Sequence, residues 1–150
     1  MARIITSIVL SAVLLWAAVP ARSYTYQFNS SSVQIRWTTS PIRISLSTSL
    51  NSPPPNIKAG SDVVGAARRA LRRWSEAANI QFVESSTTVD SVNPSGSGDG
   101  ISLITVSASA TNDAFTNQGG QRLGRTRVIF DSTGRIFEGD IALNPRVSFS

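Results

Sequence analysis

Ile42-Arg43-Ile44-Ser45-Leu46, the segment Ser61 to Ala78 (SDVVGAARRALRRWSEAA) and Ile80-Gln81-Phe82-Val83 decide the fold class of this chain. The first segment is apolar at every second position, which puts three aliphatic side chains on one face of a strand. The second repeats at 3.6 residues. Wound as a helix, it gathers Val63, Ala67, Ala70, Leu71, Trp74 and Ala78 on one stripe and sets Arg68, Arg69, Arg72 and Arg73 opposite. Ser61 suits an N-cap, Asp62 the positive end of the helix dipole, and Asn79 a left-handed stop. Strand, helix and strand in direct succession predict a right-handed crossover onto a parallel sheet. Trp74, on the apolar stripe, is expected to anchor the core, where Trp74→Ala would cost about 3–5 kcal/mol. The four arginines read as a solvated face, with Glu76 in reach of Arg72 or Arg73.

Outward from this unit the punctuation is plain. Ser30-Ser31-Ser32 and the stretch from Trp37 to Pro41 bracket a short strand at Val33–Trp37. Asn51 to Asn56, with three consecutive prolines, is an extended connection that is neither helix nor central strand. The polar loop Ser85–Gly98 precedes a third strand, Ile101–Val106. A second polar loop, Ser107–Gln121, leads to a fourth strand around Arg125–Asp131. Ser132-Thr133-Gly134 then turns into a fifth, Ile136–Leu143, and the last two form a β-hairpin. The expected fold is α/β (α+β): a twisted, mixed, five-stranded sheet with one packed helix. One helix covers one face, and sheets with parallel strands are normally covered on both. A bare second face is therefore expected, together with a further helix beyond residue 150.

The first residues settle the expected compartment. Met1-Ala2-Arg3 is a positive start, Ile4–Val19 is uncharged and largely apolar, and Pro20 with small residues follows. This is the layout of a secretory signal peptide, residues 1–23, cleaved after Ala21 or Ser23, with a membrane anchor as the competing reading. A secreted, extracellular domain at 24–150 is expected, with no membrane association after cleavage. Its formal charge falls from +5 to +3, too mild a balance to call for nucleic acid. There is no cysteine, so packing, a bound ion or further chain must do what disulfides often do in exported domains. Asn29-Ser30-Ser31 is a formal glycosylation sequon.

The residues exclude several chemistries. The chain has no histidine, so a Ser-His-Asp triad is ruled out. Gly96-x-Gly98 and Gly119-Gly120 lie in loops without the following helix that a phosphate cradle needs. Among the carboxylates, Asp131, Glu138 and Asp140 cluster on the hairpin, and Glu138 and Asp140 share a strand face. They read either as a calcium site, since hard oxygen ligands suit Ca²⁺, or as a polar edge with a turn-stabilising Asp. Asp99-Gly100 reads as a turn.

Trp74 followed after five residues by Ile80-x-Phe82 resembles the exit of the first helix in the matrixin branch of the metzincin zinc endopeptidases. Gly98-Asp99-Gly100-Ile101 is similar to the strand entry of that family. Gly124, the hairpin Val128-Ile129-Phe130-Asp131…Gly134-x-Ile136 and Asp140-Ile141-x-x-Asn144 resemble the segment before its active-site helix. The resemblance spans roughly Trp37 to Pro145. It implies a secreted zinc-dependent endopeptidase that hydrolyses peptide or protein substrates. In that family a helix bearing H-E-x-x-H-x-x-G-x-x-H holds Zn²⁺ and activates water, and structural calcium is frequent. None of those histidines is present, so the chain reads as an N-terminal metzincin-like part with no catalytic residue and no zinc ligand. The resemblance also implies a sheet edge that takes the substrate as an added antiparallel strand. By position this is Leu123, Gly124, Arg125, Thr126 and Arg127, continuing to Ile129. An edge guarded by Arg125 and Arg127 against aggregation fits the same residues. Two other readings stand beside the protease. One is a non-enzymatic exported binding or surface domain. The other is a polypeptide that completes its sheet with a partner's helix.

Overall fold

The computed structural model describes residues 26–52, 57–92, 98–106, 122–145 and 147–148. The expected signal peptide, the proline run and the loop at 107–121 lie outside the described residues. Among the described residues there are six strands and one α-helix: β1 (Arg36–Trp37), β2 (Ile42–Ser47), α1 (Val63–Ala78), β3 (Phe82–Thr87), β4 (Leu103–Val106), β5 (Gly124–Phe130) and β6 (Arg135–Leu143). The fold is mixed α/β. The sixth strand is β1, only two residues long, left of the longer strand expected at Val33–Trp37. Gln34 forms only an isolated bridge, with Phe28.

The crossover is as the alternation and the 3.6-residue stripe require. β2 and β3 run parallel in continuous register from Ile42↔Phe82 to Ser47↔Thr87, with α1 between them in sequence. β3 begins at Phe82 rather than Ile80 and runs on to Thr87, into what reads as loop from composition alone. β4 lies parallel to β2 and to β6, and β5 returns antiparallel on β6. Across the sheet the order is β3, β2, β4, β6, β5, and β1 shares with β4 the flank of β6 away from β5. Ile129 faces Glu138 while Phe130 faces Ile136, so Phe137 is the extra residue of a β-bulge in β6.

The helix face of the sheet carries the main core: Ile42, Ile44 and Leu46 of β2, Ile104 and Val106 of β4, with Leu50 and Ile57 from the connection. From α1, Val63, Val64, Ala67 and Leu71 pack on it half-buried. Trp74 does not; it is 62 % exposed, which corrects its expected role as the anchor. α1 lies on the core through its first turns, and Ile80 and Phe82, just beyond the helix, join the cluster in its stead. The N-cap is Asp62 rather than Ser61: its Oδ1 accepts the Gly65 amide at 2.7 Å. Asn79 stops the helix in the left-handed region (φ 51°, ψ 39°). Arg68 is not merely solvated. Its Nε donates to both oxygens of Glu84 at 2.9 and 3.0 Å, tying α1 to β3.

The second face is covered along β4 and β6 and open along β2 and β3, where Arg43, Val83 and Ser85 are exposed. Leu103, Thr105, Glu138, Asp140 and Ala142 project from it and all are buried. Val92 packs on Ala142, Thr105 Oγ1 donates to the Asp90 carbonyl at 2.9 Å, and the Gly100 amide reaches Glu138. Irregular chain lies over its β4–β6 part, which is lined by Ser, Thr, Asp and Glu that bind backbone groups. Among the described residues no helix is long and apolar enough to cross a membrane.

Candidate functional site

β5 pairs with β6 on one side, and among the described residues no strand pairs with its other side. The Asn144 amide donates to the Leu123 carbonyl at 2.9 Å, and Gly124 faces Leu143. Leu123 and Asn144 are therefore a hydrogen-bonded pair, and the alternation of an antiparallel ladder turns the backbone of Arg125 and Arg127 inward too. The amides and carbonyls of Gly124, Thr126 and Val128 point away from β6. This is a row of backbone donors and acceptors at a sheet edge. Gly124 also sits close to β6, since a Cβ there would lie 3.2 Å from the Ala142 carbonyl oxygen.

Alternation places the side chains of Arg125, Arg127 and Ile129 on the face of Ala142, Asp140 and Glu138, their cross-strand partners. Arg127 and Arg125 are half-exposed on that face, while Leu123, Gly124 and Thr126 are exposed. The arginines are thus turned toward the second face of the sheet rather than standing guard along its edge. Arg127 lies directly opposite Asp140, and its charge acts on that carboxylate.

The three hairpin carboxylates part company. Asp131 belongs to the turn: its Oδ1 accepts the Thr133 hydroxyl, the Thr133 amide at 3.0 Å and the Arg135 amide at 3.1 Å, and its Oδ2 accepts Arg135 Nε at 3.2 Å. These donors, the Thr133 hydroxyl first, hold its carboxyl below the usual range. Glu138 and Asp140 instead face inward, 0 % and 2 % exposed. Glu138 Oε2 accepts the Gly100 amide at 2.7 Å, and Asp140 Oδ1 the Leu103 amide at 3.1 Å. Burial pushes Asp140 up to about 6, with the Glu138 and Asp99 charges adding to the rise and the Leu103 amide and Arg127 opposing it. The pair is not a polar edge; it clamps the chain that enters β4. Asp99 closes the turn before it, Oδ1 accepting the Ile101 amide at 2.8 Å, with Gly100 at φ 80°.

Among the described residues no three of His, Cys, Asp and Glu come together as a metal-holding group. Asp131, Glu138 and Asp140 do not converge as a calcium site would require. With no histidine anywhere in the chain, the residues do not fit the zinc centre that the resemblance implies. Asn29, of the sequon, is likewise engaged. Its Oδ1 accepts the Ser31 and Val33 amides at 3.0 and 2.9 Å, and its Nδ2 donates to the Ser132 carbonyl at 3.0 Å.

Sequence reasoning located Glu138 and Asp140 on one face but not that this face points inward. The cue was available in the apolar neighbours Ile129 and Ala142 of the same face. Comparison with protein-family models, with curated proteins and with solved structures finds no match.

Proposed function

We propose that this chain is a peptide-binding unit of matrixin-like layout, in which β5 takes an extended peptide as an added antiparallel strand. The observation that carries the reading is the outward row of backbone groups at Gly124, Thr126 and Val128. Antiparallel addition there would bond alternate residues of the peptide to the sheet, and main-chain bonds of this kind supply affinity without demanding a sequence. The short Gly124 and Thr126 leave the approach open. The peptide-hydrolase activity of the resembled family needs a zinc centre for which these residues supply no ligand. The activity expected of this chain is therefore binding without cleavage.

Thr126→Pro is the direct test. It removes one outward amide, lies at an exposed edge position where proline is tolerated, and leaves the pairing with β6 alone. Titrated with capped, extended octapeptides of mixed sequence, the parent chain should show saturable NMR shifts along β5. The variant should lose about tenfold in affinity or more while keeping its circular dichroism. Equal affinity in the two would remove the reading. As a separate check, the chain with added Zn²⁺ should leave casein uncut, and chelator-sensitive cleavage would restore the protease.

A further inference from the structure

On the flank of β6 away from β5 the sheet has a gap. β1 pairs with β6 at Arg135 and Ile136, and β4 pairs from Ile141 to Leu143. Between them, among the described residues, β6 has no strand neighbour on this side, and a cleft of about 480 Å³ opens there. That is the size of small-molecule sites in proteins. Its walls are the β1–β2 turn and the coil that enters β4.

The lining divides into two chemistries. Trp37 and Phe137 are its aromatic part, beside Pro41, Ile42 and Ile136, and Phe137, the extra residue of the bulge, is 43 % exposed. Ser102, Arg43 and Arg135 belong to the polar part, with Thr39 and Ser40 at the turn. Ser102 is buried and its Oγ accepts the Gly139 amide at 3.2 Å, which leaves the hydroxyl proton to be donated elsewhere. Arg135 is held by Asp131. Arg43 is exposed, and among the described residues its guanidinium has neither an ion pair nor a hydrogen bond. Among the described residues no carboxylate lines the cleft.

We propose that this cleft binds a small aromatic monocarboxylate, its ring against Trp37 and Phe137 and its carboxylate on Arg43, with the Ser102 hydroxyl as a further donor. One uncompensated guanidinium with one neutral donor suits a single negative charge, and the guanidinium fork matches the two oxygens of a carboxylate. The rings favour a flat apolar body, since aromatic pairs stack or meet edge to face. A phosphate dianion would ask for a second uncompensated cation, and Arg135 already has its partner.

The test needs only the full chain, ¹⁵N-labelled, with phenylacetate as probe and phenylacetamide as its neutral isostere. Phenylacetate should give saturable shifts at the Trp37 indole and at Arg43 and Ser102, and the amide should bind about tenfold more weakly or worse. Arg43→Gln, at an exposed position, should bring the acid down to the affinity of the amide and leave the amide unchanged. Phe137→Ala should weaken both. Equal binding of acid and amide by the parent chain overturns the proposal without recourse to any variant. So do shifts that never saturate, shifts centred on Arg72 and Arg73, or undiminished binding by Arg43→Gln. The β5 reading is tested on the other flank with other ligands, so either can fail alone.

Discussion

Gly134 shows how one residue can hold two parts of the chain together. It sits at φ 78° in the β5–β6 turn, and a Cβ placed there would run into the Gln34 carbonyl. The close approach lets the Gly134 carbonyl accept the Arg36 amide at 2.9 Å, which starts the β1–β6 pairing. Asn29 makes the second link, through Ser132. Gly134→Ala meets both a left-handed backbone and an immovable main-chain neighbour. It should destabilise the chain by about 2 kcal/mol or more, read from denaturant unfolding. A loss near zero would mean that the turn and the residue 29–37 segment do not dock. The turn itself is readable in Ser132-Thr133-Gly134, and Asp131 as its stabiliser is readable beside it. The partner of the turn, about a hundred residues earlier, is not, because no local pattern encodes a contact that far along the chain.

The helix is where periodicity succeeds and then misleads. The 3.6-residue stripe locates α1, and Asn79 marks its end. The stripe does not say how far along its length the sheet extends beneath it. Val63, Val64, Ala67 and Leu71 find the core, whereas Trp74 does not. Trp74→Ala should consequently cost less than about 1 kcal/mol instead of the several a buried tryptophan would, and its fluorescence should be that of a solvated indole. A blue-shifted emission with a large stability loss would return Trp74 to an interior. Asp62→Ala, which removes the side-chain acceptor for the Gly65 amide, should lower the unfolding midpoint in the same measurement. Gly65 belongs to this cap, since a Cβ there would collide with the Asp62 carboxylate. Strand ends shifted by two residues, as at β3, because their extent depends on what the neighbouring strand offers in register rather than on their own composition.

At the scale of the whole molecule, the burial of Asp140 makes stability respond to pH. The Asp140 carboxyl keeps its proton in the folded chain up to about pH 6, against an ordinary value of 3.8. Between those values the folded state binds more protons than the unfolded one, so stability falls as pH rises through the window and levels off above it, by at most about 3 kcal/mol. Asp62, Glu84 and Asp131, held below their ordinary values, act in the opposite sense and withdraw their contribution as pH falls through their folded values. The melting temperature should therefore be higher at pH 5 than at pH 7.5. Asp140→Asn, which can still accept the Leu103 amide, should flatten that difference; a parent chain that melts higher at pH 7.5 would contradict the burial of Asp140. The sequence by itself determined the parallel crossover, the hairpin, the helix with its left-handed stop and the want of any histidine, because each is written in spacing or composition within a few neighbouring residues. Only the tertiary structure decided that β5 is an edge with its outward groups at Gly124, Thr126 and Val128. It alone put Glu138 and Asp140 inside and Trp74 outside, and opened a cleft beside Arg43. Each of these depends on which distant segment occupies the adjoining space, and burial is a property of that packing rather than of the residue that undergoes it.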